Sequence, residues 1–63
     1  MLINFTDSTS GDRVAVNPKF VVAVFKANQG EHAGKTVINS SIGSIIVNEN
    51  DNEVVGLING ALN

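Results

Sequence analysis

Phe20-Val21-Val22-Ala23-Val24-Phe25-Lys26-Ala27 is the stretch whose reading decides the fold. β-Branched and aromatic residues dominate it, and such side chains fit a pleated strand better than a helix. Side chains alternate along a strand, so Phe20, Val22 and Val24 fall on one face, and Val21, Ala23, Phe25 and Ala27 on the other. Both faces are apolar. A strand in a sheet with one solvated side shows one polar face. This one asks for cover on two sides, and the chain holds one segment with a clear helical period. That helix can shelter one face. A second copy of the protein is the natural cover for the other, which makes Phe20, Val21, Val22, Ala23, Val24 and Phe25 the expected oligomer interface.

Towards the N-terminus, Leu2 to Thr6 reads as a strand with Ile3 and Phe5 on one face, followed by the turn cluster Asp7-Ser8-Thr9-Ser10-Gly11-Asp12. Arg13 to Val16 resumes the alternation, with Val14 and Val16 together. Asn17-Pro18 breaks it, because proline lacks the donor that a central ladder needs. Towards the C-terminus, Asn28 to Gly34 is a polar loop with two glycines. Thr36 to Ser40 is a strand, Ser41-Ile42-Gly43 a tight connection, and Ser44 to Val47 a strand with Ile45 and Val47 facing together. The period then changes. Asn48 or Asn50 can cap a helix, and Glu49, Asp51 and Glu53 set negative charge at its positive end. Val54, Val55, Leu57, Ile58, Ala61 and Leu62 share one arc of a helix over about 49–62. Gly56 and Gly60 lie four apart on its outer arc, each costing about 1 kcal/mol relative to alanine. Either the helix simply frays, or another helix approaches closely there, so both glycines join the expected interface. The sum is an α+β domain spanning 1–63: four or five short antiparallel strands in a curved sheet or small barrel, with one C-terminal helix.

A chain of 63 residues has room for one core, and a domain of this size buries only about 60% of the surface its unfolded chain exposes. Such folds usually carry a staple. There is no cysteine, and the lone histidine cannot build a zinc site by itself, so self-association is the staple left. Net charge is −2, and the four basic residues, Arg13, Lys19, Lys26 and Lys35, are scattered. That pattern argues against nucleic-acid binding, which depends on basic clusters. No apolar run reaches the length of a membrane span. Met1-Leu2-Ile3-Asn4 lacks the basic and long apolar regions of a signal peptide, which makes the cytoplasm the expected location.

Three motifs suggest chemistry and fall short of it. Gly30-Glu31-His32-Ala33-Gly34-Lys35-Thr36 has three residues between its glycines where a phosphate-binding loop has four, and its flanks read as strands. His32 beside Glu31 has the elements of a general base, but no serine sits in a nucleophile-elbow pattern. Asn48 to Glu53 lacks the glycine and final glutamate of a calcium loop, and helix capping accounts for its acids. No enzyme, cofactor or metal is expected.

Leu2-Ile3-Asn4-Phe5-Thr6, Gly11, Val16-Asn17-Pro18-Lys19-Phe20-Val21, Thr36-Val37-Ile38-Asn39, Gly43 and Ile45-Ile46-Val47 resemble, in order and spacing, the small flagellar FlbD-like (motility-associated) family. The ending Asn48-Glu49, Glu53-Val54-Val55 and Ile58 also fits. The chain departs in its longer 28–34 loop and its Gly- and Asn-rich helix. The resemblance implies the same architecture and no catalytic residues. The expected function is therefore a non-catalytic, homo-oligomeric binding or regulatory protein. The alternative is a phage-encoded protein sequestering a nucleotide or metabolite in polar pockets between subunits. The 7–12 and 28–35 loops would line those pockets, with Asp12, Arg13, His32 and Lys35 as the ligand-facing residues.

Overall fold

The computed structural model describes residues 1–63. Five strands, β1 (Ile3–Thr6), β2 (Arg13–Val16), β3 (Val21–Lys26), β4 (Thr36–Ser40) and β5 (Gly43–Val47), precede one helix, α1 (Asp51–Leu62). β1 and β2 pair as an antiparallel hairpin, and β3-β4-β5 form an antiparallel meander. The two sheets touch where β1 runs out: Asp7 bridges Val47, the Ser8 amide donates to the Ile46 carbonyl (2.8 Å), and the Asn48 amide donates to the Thr6 carbonyl (2.9 Å). The sheet is curved but does not close into a barrel.

Local chemistry explains the joints. The 7–12 turn is held by the Asp7 carboxylate, which accepts from the Thr9 amide at 2.7 Å, and by Gly11 at φ +79°. After β2, Asn17 caps a one-turn 3-10 helix over Pro18–Phe20 by accepting from the Lys19 amide, with Pro18 at its first position, where a missing N–H costs nothing. Phe20 therefore lies in this turn and not in the strand. The helix starts where Asn50 accepts from the Glu53 amide at 2.7 Å, so Asn50 rather than Asn48 is the cap.

The core is a single small cluster of Ile3, Phe5, Ile38, Val47, Val54 and Ile58, with Val14, Val16, Val21, Val24, Ile45 and Ala61 packed around it. Each fully buried side chain of this kind contributes about 1.5–3 kcal/mol. β1, β2 and β5 present the faces read from their alternation. β3 does not. The register slips between Val21, opposite Ser40, and Ala23, opposite Asn39, leaving Val22 as the extra residue of a bulge. Val21 and Val24 thus both turn to the core, and the expected grouping of Phe20, Val22 and Val24 on one face is corrected by that single inserted residue.

The other face of the meander has no cover from the chain. Phe25, Val37 and Ile46 stand side by side across it, with Ala23, Asn39 and Ser44 in the next row. Phe25 is 47% exposed, and Val22 and Phe20 are more so. Of the helix's apolar arc only Val54 and Ile58 are buried and Ala61 half-buried; Val55, Leu57 and Leu62 look outward. No helix is long and apolar enough to cross a membrane.

Phe5 is the largest fully buried side chain. Its replacement by alanine is expected to cost about 3–5 kcal/mol. In so small a core that loss should abolish the cooperative urea transition, as followed by circular dichroism at 25 °C.

Candidate functional site

Glu49, in the link between β5 and α1, makes the polar contacts that span the greatest separation in sequence. Its carboxylate accepts from the Thr6 amide and from the Thr6 hydroxyl, both at 3.0 Å. Its own carbonyl accepts from the hydroxyl of Thr36, a fully buried side chain, at 2.6 Å. One residue thereby ties β1, β4 and the helix start together and pairs an outward-facing amide of β1 that would otherwise be orphaned. Burial pushes the Glu49 carboxyl pKa up, but the Thr6 amide, its own amide, the Thr6 hydroxyl and the Arg13 guanidinium together hold it below the usual glutamate value. The sequence offered Glu49 only as helix-dipole charge. The spacing of 43 residues to Thr6 left no local signal of the pairing.

Among the residues expected to face a ligand, Lys35 donates from Nζ to the Asn48 side chain at 2.9 Å, and His32 lies 3.5 Å from the Glu31 carboxylate, itself 88% exposed. The loop carrying them closes a hairpin through Ala27 and Gly34–Lys35, with Gly30 and Gly34 at positive φ. It joins two strands, and no helix N-terminus points into it. Asp12 and Arg13 lie at the foot of the β1–β2 hairpin. No three carboxylates or histidines gather to hold a metal ion. Gly56 and Gly60 face open space, where an added Cβ would meet nothing.

The concave feature of the molecule lies elsewhere, between the β1–β2 hairpin and the β4–β5 end of the meander. A groove of about 410 Å³ opens between β2 (Val14, Ala15, Val16) and β5 (Gly43, Ser44, Ile45), floored by Ile38 and flanked by Leu2, Phe20 and Ile42. Eight of its twelve lining residues are hydrophobic and none is charged, so it has nothing to pair with a phosphate or carboxylate. Since Ile46 and Asn48 aim their backbone groups outward at Ser8 and Thr6, Ser44 aims its N–H and C=O the same way, past the end of the contact with β1. By the same alternation, counted from the Asp7 amide on the Asp12 carbonyl, Ala15 presents its own pair on the free side of β2.

Of the expected interface residues, Phe20, Val22, Ala23 and Phe25 are exposed, Val21 and Val24 half-buried against the core, and only Phe20 lines the groove. The groove was not anticipated, because it depends on how far apart β2 and β5 stand. Its one legible trace was Ile42, an apolar residue in a two-residue turn that usually takes Asn, Asp or Gly. The chain matches no protein-family model, no curated protein and no solved structure.

A carboxyl whose pKa is depressed on folding stabilises the fold above its unfolded pKa, and that contribution is lost as pH falls through the lower folded value. Glu49→Gln is expected to cost about 1 kcal/mol at pH 7. It should also remove part of the decline in melting temperature expected on acidifying the parent protein below about pH 4.5, the ordinary glutamate range. Parallel melts from pH 7 to pH 3 check both effects.

Proposed function

We propose that this chain is a non-catalytic binding or regulatory protein of FlbD-like architecture that works as a homo-oligomer. The observation that carries the reading is the apolar surface left open around β3: Phe20, Val22 and Phe25 are 53%, 74% and 47% exposed in a domain whose core holds six hydrophobic residues. Contiguous exposed apolar patches mark association surfaces. A second copy supplies the cover that one twelve-residue helix cannot. The resemblance to the FlbD-like family supports the same reading, since it brings no catalytic residues with it. Static light scattering over a hundredfold concentration range is expected to give a multiple of the 6.6 kDa chain mass, with a melting temperature that rises with concentration. A chain-mass particle throughout, at constant melting temperature, overturns the reading.

A second reading, sequestration of a small ligand, draws on the groove, whose volume lies within the roughly 300–1,000 Å³ of small-molecule sites. Its uncharged lining favours a neutral apolar ligand over a nucleotide. A thermal-shift panel of neutral hydrophobic metabolites and nucleotides is expected to give stabilisation with members of the first group alone. Stabilisation by nucleotides alone counts against the groove as the site.

A further inference from the structure

Asn59-Gly60 is the one asparagine–glycine pair of the chain, and it stands in the last turn of α1. Asparagine is thermolabile, and a following glycine leaves the attacking backbone nitrogen unshielded, since it has no Cβ. The other asparagines with a following residue are held or hindered. Asn17 precedes proline, which has no N–H to give up. The side-chain oxygens of Asn39, Asn48 and Asn50 accept from Ser44 Oγ, Lys35 Nζ and the Glu53 amide. Asn4, Asn28 and Asn52 are followed by Phe5, Gln29 and Glu53, whose side chains crowd the attacking nitrogen. Asn59 and Gly60 are both exposed, and the space around Gly60 is open.

A closed helix protects such a pair, because its N–H groups point back along the axis to the preceding turn. The reaction therefore needs the last turn to open, and the packing makes that opening cheap. Ile58 is the last buried residue of α1, and beyond it only Ala61 packs against the core. Leu62 is 52% exposed. Gly60 lowers the helix propensity of this same turn. No basic residue there offsets the negative end of the helix dipole. The final hydrogen bond, from the Asn63 amide to the Asn59 carbonyl, is 3.1 Å long. Terminal turns with so few buried contacts open at little free-energy cost.

We infer that Asn59 is a site of spontaneous deamidation, reached through local opening of the last turn of α1, and that the product loosens this turn from the sheet. In the open turn the Gly60 nitrogen gives up its proton and attacks the side-chain carbonyl carbon of Asn59. A C–N bond forms, the C–NH2 bond breaks, and ammonia leaves with that proton, closing a succinimide ring. Water then adds to one or the other ring carbonyl and leaves aspartate or isoaspartate at position 59. Either product adds a negative charge at the helix end where the dipole is already negative. Isoaspartate also inserts a side-chain carbon into the backbone, so the helical repeat no longer carries Ala61 to the core.

Incubation of the full chain at physiological temperature and neutral pH, in native buffer and in urea, followed by peptide mapping with mass spectrometry, tests this. The expected result in native buffer is a one-dalton gain at Asn59 ahead of every other asparagine, in both isomeric forms. Its rate should be no more than about tenfold below that of the urea-unfolded chain. The modified fraction, separated by ion exchange, is expected to melt below the unmodified one. Gly60→Ala, whose Cβ meets open space, is expected to fold, to slow the conversion at least tenfold and to keep its melting temperature through the same incubation. A slowing beyond tenfold in the folded chain, a Gly60→Ala variant that converts as fast as the parent, or another asparagine converting first overturns the site. A modified fraction that melts with the unmodified one overturns the loosening of the turn.

Discussion

One helix of three turns can shelter one side of a sheet, and the rest of this structure follows from how the chain uses that single cover. α1 places Val54 and Ile58 over the inner face, and together with Ile3, Phe5, Ile38 and Val47 they make a core of six side chains. At about 1.5–3 kcal/mol each, these groups carry most of the apolar stabilisation available to the monomer. The outer face of the meander and the groove between the hairpin and the β4–β5 end are what the chain cannot afford to cover. Both remain apolar, and both carry the functional reading.

The polar interactions are economical in the same way. Glu49 spans β1, β4 and the helix start with three hydrogen bonds. It also finishes the edge of β1 at the place where the two sheets part. Its carboxylate draws on the Thr6 amide and hydroxyl and on the nearby Arg13 charge, which together outweigh the penalty of burial. The joint is therefore firm at neutral pH and weakens only in acid. Charged residues gather around it, and the opposite end of the strands is left almost free of charge.

Much of the architecture could be read from residue order. Strand positions, the two loops, the C-terminal helix and the inward faces of β1, β2 and β5 all follow from periodicity and from glycine, proline and asparagine at the joints. β3 was legible as a doubly apolar strand but not in its facing. The one-residue slip at Val22 depends on how Phe20 leaves its 3-10 turn and how Ser41 binds back to it, and alternation along a single strand carries no trace of that. Val55, Leu57 and Leu62 fit the helical arc but fall at its margins, beyond the width that the small core can take in.

By itself, then, the amino-acid order determined a small α+β domain with short antiparallel strands and one C-terminal helix, because side-chain period and turn chemistry act between near neighbours. Only the tertiary structure decided that the two sheets join only where β1 meets β5, that Glu49 reaches Thr6, and that Ile42 stands beside a groove. Those outcomes depend on distances between segments far apart in the chain, and such distances are set by packing rather than by any local preference.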